Sequence, residues 1–213
     1  MTGTTTTPAR AWQEMVEGNE RFMAGKPRHP RQDVERRGEL IGNQAPHATL
    51  FGCSDSRLAA EIIFDKGLGD LFVVRNAGQV ISDSVVGSLE YSVAILGVPL
   101  IVVLGHDECG AVRAAIESQS ENAPAIPPHI RNLIEPIMVA VNKVQETLEP
   151  GATPDATVVG REHLRDTITT MVASSELICD AIAKGTLAIV GANYRLLEGM
   201  AVPDVVIGDI GTT

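Results

Sequence analysis

Two strand-like apolar runs in this chain end in residues that bind metals, and this pairing strongly limits the folds open to it. Residues 48–52 lead directly into Cys53, and residues 99–104 precede His106, which Cys109 follows three positions later. A ligand at the end of a strand is held on a rigid edge, as a metal site requires. The sequence therefore predicts a fold in which both strand ends meet at one site.

Strand-like and helix-like segments alternate from residue 48 onward. Apolar runs predict strands at 48–52, 71–74, 99–104, 187–191 and 202–207. Helical spacing predicts helices at 84–96, 109–117, 126–148 and 155–183. This alternation predicts an α/β fold with a mostly parallel central β-sheet of four to five strands flanked by helices. In such sheets ligands bind at the carboxyl ends of strands, where Cys53 and His106 fall.

The N-terminal part of the chain has a different character. Residues 1–7 are rich in threonine and are predicted to be a disordered tail, and Thr7 and Pro8 together indicate a helix start. A second, more charged helix is predicted at 33–41. We expect residues 8–213 to form a single domain in which residues 8–43 are a helical arm. From the residues alone, the arm could dock on its own domain or on a second subunit.

Composition excludes several classes of function. A chain of 213 residues with a net charge of −10 lacks the basic face that a nucleic-acid partner requires. Three cysteines do not make a disulfide framework, and the longest apolar run, 98–104, is too short to cross a membrane. With no signal-peptide pattern after the polar start, we expect a cytoplasmic protein whose thiols stay reduced.

Two thiolates, one imidazole and a nearby carboxylate are ligands that zinc prefers, and two cysteines with one histidine form a known catalytic set. Cys53, His106 and Cys109 supply the first three, and Asp55 is the carboxylate. The alternative is a closed structural site with all four as ligands. Closed sites often use paired C-x₂-C segments, which this chain lacks, so the catalytic interpretation is favoured.

Asp55 and Arg57 lie two residues apart and can form a strong, directional ion pair. Two thiolates cancel the charge of Zn²⁺, so zinc-bound hydroxide needs help from neighbouring groups near neutral pH. An Asp55 carboxylate held by Arg57 can accept the hydroxide proton and orient the oxygen. Without Arg57, the same carboxylate could bind zinc and close the site.

The two motifs together resemble those of the β-class carbonic anhydrases: Cys53-Ser54-Asp55-Ser56-Arg57, then Gly105-His106-x-x-Cys109-Gly110. Residues 69–78 and 87–91 also resemble this family, and the similarity runs from about residue 11 to 211. The resemblance implies one zinc ion per chain, bound by Cys53, His106 and Cys109, with Asp55 and Arg57 as a gating pair. The implied reaction is reversible hydration of carbon dioxide to bicarbonate and a proton, through attack by zinc hydroxide.

The resemblance also implies a substrate pocket formed by Gln44, Phe72, Tyr91 and Gly110. Without it, Gln44 would be taken as an exposed loop amide, and Phe72 and Tyr91 as ordinary core residues. The family is built on homodimers, which can pair into tetramers, and its helical arms wrap around the partner. The resemblance therefore favours docking of residues 8–43 on a second subunit.

Two other functions fit the same motifs. A related enzyme could hydrolyse carbonyl sulfide or carbon disulfide, and a non-enzymatic relative could hold zinc as a regulatory or shell protein. The presence of Asp55, Arg57 and Gln44 argues against the second. Cys179 is predicted to be a buried or partly buried free thiol. The remaining histidines carry no ligand spacing: His29, His47, His129 and His163.

Overall fold

A computed structural model describes residues 6–120, 123 and 125–211. Residues 1–5 of the predicted disordered tail lie outside this range. Thr7 is the N-cap of the first helix, and its side chain accepts a hydrogen bond from the Arg10 N–H. The predicted helix start at Thr7 and Pro8 is therefore confirmed.

Five strands form one central sheet in the order β2-β1-β3-β4-β5. The first four are mutually parallel, and β5 runs antiparallel to β4. The predicted mostly parallel sheet of four to five strands flanked by helices is confirmed. The strands are β1 (Ala48–Cys53), β2 (Leu71–Asn76), β3 (Leu100–His106), β4 (Ala188–Arg195) and β5 (Met200–Ile207).

The helices are α1 (Pro8–Met23), α2 (Val34–Glu39), α3 (Ala60–Ile63), α4 (Asp83–Ala94), α5 (Gly110–Glu117), α6 (Pro128–Gln145), α7 (Ala156–Ala173) and α8 (Glu176–Ala183). The prediction of one helical region at 155–183 was wrong in one respect, since α7 and α8 are separate helices. The Ser175 hydroxyl accepts a hydrogen bond from the Ile178 N–H and so caps a new helix.

Both faces of the sheet are covered by helices. Side chains of β1, β3 and β4 point alternately to two apolar clusters, one under α1, α5 and α6, the other under α4, α7 and α8. Every residue of β1 and β3 is buried. This explains why these strands are continuous apolar runs in the sequence rather than alternating ones.

Helix α1 packs on its own chain through its inner face. The Asn19 amide donates to the carbonyls of Ile63 and Gly199, at 3.1 and 2.8 Å, and accepts from the Ala201 N–H. At Gly18 an added Cβ would lie 1.9 Å from the Phe64 carbonyl oxygen, so only glycine allows this approach. Docking of the arm on a second subunit stays a prediction.

The segment after α1 is fastened to the domain by a buried carboxylate. Asp65 is 1% exposed at its side chain and accepts hydrogen bonds from the Arg21 guanidinium and from the N–H groups of Arg28 and His29. Burial by itself would raise the pKa of Asp65. The hydrogen bonds outweigh it, so the pKa lies below its usual range.

Asp65→Asn is expected to lower the free energy of unfolding at pH 7 by about 1 to 3 kcal/mol. A carboxyl with a lowered folded pKa stabilises the fold above its unfolded pKa, about 3.9, and this contribution is lost as pH falls through the folded value. The difference between variant and parent should therefore shrink in acid. Asparagine suits the left-handed backbone here (φ 44°), so the change tests charge rather than backbone strain.

Urea unfolding at pH 7 and at about pH 3 measures this difference. Asp180→Asn is the matched control, because that carboxylate is 72% exposed and, within the described residues, pairs with Lys184 at the end of the same helix and with no other cation. The control should change stability by less than about 0.5 kcal/mol. An Asp65→Asn effect equal at both pH values would contradict the assigned role.

None of the helices in the described part of the chain has the length and apolar character needed to span a membrane.

Candidate metal centre

Cys53, His106 and Cys109 converge at the carboxyl edge of the sheet. Their ligand atoms all lie within 4.8 Å of one another, and each residue is at most 5% exposed. The convergence follows from topology: β1 and β3 are parallel neighbours, so their carboxyl ends meet at one edge. Cys109 lies beside them because it is the N-cap of α5 and follows His106 by three residues.

The imidazole of His106 is oriented as a metal ligand. Its Nδ1 lies 2.7 Å from the Asp107 carbonyl oxygen, which can only accept, so Nδ1 carries the proton. Nε2 is then an unprotonated acceptor, and it is buried without a hydrogen-bond partner among the described residues. Fixing one ring nitrogen by a backbone carbonyl while the other faces a metal is a recurring arrangement of metal-binding histidines.

The pKa values of the two thiols are shifted in opposite directions. The hydrogen bond from Cys109 lowers the pKa of Cys53 to about 4, aided by the N–H groups of Gly78 and Asp55. The same interaction raises the pKa of Cys109, and burial raises it further. The opposite directions follow from two sulfurs sharing one buried site, and a cation bound there would favour the thiolate form of both.

This donor set fits zinc. Two sulfurs and one imidazole nitrogen are soft and borderline ligands, and a buried thiolate beside an unpartnered Nε2 needs a cation to balance it. Among the described residues, the group with ligand atoms within 4.8 Å contains these three side chains and not Asp55. Three protein ligands with a fourth position free is the arrangement of catalytic zinc sites.

Asp55 is held by Arg57, as the sequence predicts. The Arg57 guanidinium donates to both carboxylate oxygens, Nε to Oδ1 at 2.9 Å and Nη2 to Oδ2 at 2.7 Å, and the Arg57 N–H also donates to Oδ1. These bonds hold the pKa of Asp55 well below its usual range, although burial opposes them. Arg57 Nη2 donates to the Glu108 carbonyl at 3.1 Å and so joins the segment that carries Cys53 to the segment that carries His106 and Cys109.

The four residues assigned to the substrate pocket are not all brought together. The rings of Phe72 and Tyr91 lie 6.2 Å apart at the outer edge of the sheet, on β2 and α4, and Tyr91 is 46% exposed. Gly110 is the exposed first residue of α5, directly after Cys109. Gln44 lies on an exposed loop, with no hydrogen bond to the cluster in the described chain.

Two supporting residues were missed by the sequence reasoning. Arg75, at the end of β2, donates to the Cys53 carbonyl at 2.8 Å and to the Asp55 carbonyl at 2.6 Å. Gly78, in the loop after β2, donates its N–H to the Cys53 sulfur at 3.3 Å. Both fall in the segment 69–78 that resembles the family, but only the fold shows what they contact.

The prediction that Cys179 is buried or partly buried was wrong. Its side chain is exposed on α8, and the thiol donates to the Val172 carbonyl at 3.2 Å. Cys179 is therefore separate from the cluster that contains Cys53 and Cys109, and its substitution can serve as a control.

Sequence comparisons agree with this geometry. A family model described as carbonic anhydrase matches residues 48–201. The chain is 47% identical over 215 residues to "Carbonic anhydrase 2" of Mycobacterium tuberculosis, covering 97% of each chain. It is 44% identical over 208 residues to "Carbonic anhydrase" of Mycolicibacterium smegmatis, covering 96% of this chain and 97% of that protein.

Solved structures show the same fold. A β-carbonic anhydrase from Coccomyxa, in complex with acetazolamide, superposes with a TM-score of 0.69 and 26% identity over 80% of this chain and 77% of that one. One of two tetrameric β-carbonic anhydrases from Sordaria macrospora superposes with a TM-score of 0.71 and 24% identity, over 92% and 98%. At 24% identity, the similarity to the Sordaria macrospora structure is evidence for the fold alone.

The fold and the cluster define an α/β protein with a buried group of two cysteines and one histidine that could hold a metal ion. The chain belongs to the β-carbonic anhydrase family, whose reaction is the reversible hydration of carbon dioxide to bicarbonate and a proton.

Proposed function

We propose that Cys53, His106 and Cys109 hold one zinc ion per chain, and that Asp55 and Arg57 are the catalytic pair of the family reaction. The observation that carries this is the buried group of three ligand atoms with an unpartnered His106 Nε2. When bound, zinc lowers the pKa of a coordinated water and supplies a nucleophile for carbon dioxide near neutral pH.

Asp55 acts as a fixed hydrogen-bond acceptor beside the metal. Its lowered pKa keeps the carboxylate ionised across the working pH range, so it can only accept hydrogen bonds. Two bonds from the Arg57 guanidinium fix the plane of the carboxylate, and the Arg57 N–H occupies the second lone pair of Oδ1, so a lone pair stays free on Oδ2. A proton donor beside the metal can donate to this lone pair, and its own lone pair then points toward substrate. Arg57 also keeps Asp55 from moving onto the metal.

The substrate pocket requires a second subunit. Phe72 and Tyr91 lie on β2 and α4 at an open edge of the sheet, where Ile95 is 67% exposed beside Tyr91. Exposed apolar groups of this kind mark contact surfaces. We assign them to a homodimer, and possibly a dimer of dimers, in which Gln44, Phe72, Tyr91 and Gly110 line an apolar slot for carbon dioxide. The arm of residues 8–43 would wrap the partner. The tetrameric relatives from Sordaria macrospora are consistent with such assembly.

A cytoplasmic location suits this site, because thiolate ligands must stay reduced to bind metal.

Stopped-flow hydration of carbon dioxide, across about pH 6.5 to 9 and with zinc measured on the same preparation, tests the proposal. We expect turnover that scales with zinc content and approaches its maximum at one zinc per chain. A steep rise with pH would indicate that Asp55 binds the metal at low pH, and a shallow single titration would indicate a permanently open site. Full zinc loading without hydration at any pH would contradict the proposal and favour carbonyl sulfide or carbon disulfide as substrates.

A further inference from the structure

His163 is a buried histidine that the metal centre does not use as a ligand. It lies on the inner face of α7, is 2% exposed, and places Nε2 2.7 Å from the carbonyl oxygen of Gly78. A carbonyl can only accept, so Nε2 carries the proton and donates. Burial lowers the pKa of His163, which keeps the ring neutral with one N–H, and that N–H is committed to Gly78.

Gly78 connects this histidine to the metal centre. Its own N–H donates to the Cys53 sulfur at 3.3 Å, so the two polar groups of one residue point to His163 and to Cys53. The backbone at Gly78 is left-handed (φ 79°), and an added Cβ would lie 2.9 Å from Ala111 Cβ and from Ile137 Cδ1. The loop is therefore pressed between the metal centre, α5 and α6.

The rest of the loop is anchored independently. The Asn76 amide donates to the Val80 carbonyl at 2.7 Å and accepts from the Val80 N–H at 2.8 Å, which closes the loop at both ends. One turn after His163 on α7, the Thr167 hydroxyl reaches the Gln79 carbonyl at 3.4 Å. Of these contacts, only the one from His163 acts on the residue that touches Cys53.

We propose that His163 is a positioning residue for the metal centre: its Nε2–H holds the Gly78 carbonyl and so keeps the Gly78 N–H directed at the Cys53 sulfur. The inference rests on the proposed function, because it takes Cys53 as a metal ligand. A hydrogen bond to a ligating sulfur withdraws electron density from it and fixes its orientation. Without His163, the backbone angles of Gly78 are less restrained, so its N–H can turn away from Cys53, and the sulfur becomes a stronger donor in a less defined position.

Three variants separate this role from simple packing. His163→Leu removes the hydrogen-bond donor and leaves an apolar side chain in its place. His163→Gln restores a hydrogen-bond donor, since its amide nitrogen is separated from Cα by the same number of bonds as Nε2 of histidine. Thr167→Val is the matched control, because it removes the neighbouring hydrogen bond from the same helix to the same loop without touching Gly78.

The readouts are zinc affinity by chelator competition and the thiolate-to-metal charge-transfer band of the cobalt-substituted protein. We expect His163→Leu to weaken zinc binding about tenfold and to shift the band to lower energy. His163→Gln should recover most of both, and Thr167→Val should leave both at parent values. Circular dichroism confirms the fold. If His163→Leu does not fold, His163→Asn, whose shorter amide cannot reach Gly78, takes its place.

The proposal would be overturned if His163→Leu kept the zinc affinity and the band position of the parent protein. It would also be overturned if His163→Leu and His163→Gln lost zinc affinity to the same extent. A shift of the band in Thr167→Val equal to that in His163→Leu would show that any loosening of the loop suffices, which also overturns it. A parent protein that binds neither zinc nor cobalt through its thiolates would instead refute the proposed function.

Discussion

Cys53→Ser is expected to lose zinc on dialysis against a chelator and to lose nearly all hydration of carbon dioxide. A serine hydroxyl is a poor zinc ligand because, unlike a thiolate, it is neutral and stays protonated. A metal contributes several kcal/mol to the transition state, and about 4 kcal/mol corresponds to about a 10³-fold fall in kcat/KM. His106→Ala and Cys109→Ser should behave in the same way.

Cys179→Ser is the matched control for this loss. The thiol of Cys179 is exposed on α8 and donates only to the Val172 carbonyl among the described residues, so its removal should leave zinc content and turnover unchanged. Zinc content by atomic emission and turnover by stopped flow, on the same preparations, measure both variants. Retention of zinc at the parent level in Cys53→Ser would refute the assignment of Cys53 as a ligand.

The second large effect is expected at the carboxylate beside the metal. Asp55→Asn should keep zinc, because Asp55 is outside the group of three ligands, but lose about 10²-fold in kcat. An amide keeps the shape of the carboxylate but lacks its charge, and one of its two acceptor positions becomes a donor. The bidentate pairing with Arg57 is lost at the same time. Full turnover in this variant would be incompatible with the role proposed for Asp55.

Arg57→Ala releases the same carboxylate without removing it. We expect Asp55 to bind the metal as a fourth ligand, so zinc is retained while turnover falls to a level similar to that of Asp55→Asn. A crystal structure of the zinc-loaded variant would show an Asp55 oxygen at the fourth position of the metal, and the double variant with Asp55→Ala should have a water there. A water at that position in Arg57→Ala itself would contradict the role assigned to Arg57. Arg113→Ala is the control, because that arginine is 56% exposed and pairs with Glu108 nearby without touching Asp55.

The parts of the site that could be predicted from sequence are those set by short-range pattern. Continuous apolar runs predict buried parallel strands, and parallel neighbours bring Cys53 and His106 to one edge. Asp55 and Arg57 are close enough in the chain to pair through a single turn. The resemblance to the family added the predicted substrate pocket. Of its four residues, Phe72 and Tyr91 are the two that lie together within a single chain.

The errors have a common cause. The pattern at 155–183 is apolar at helical spacing throughout, and the break at Ser175 depends on a hydroxyl that could equally have faced solvent. Cys179 lies on α8, a helix whose apolar face is satisfied by other residues, and spacing alone does not show which side packs. In both cases the sequence leaves two local structures of similar energy, and tertiary packing selects one.

The class of fold, the three candidate ligands and the carboxylate–guanidinium pair follow from the sequence, because the alternation of strands and helices and the local spacing place them. The folded chain was needed to show which nitrogen of His106 is free, that Arg75 and Gly78 support Cys53, and that His163 holds Gly78 from 85 residues away. Contacts of that separation depend on how helices close over the sheet, and no periodicity in the chain encodes which side chains will then meet.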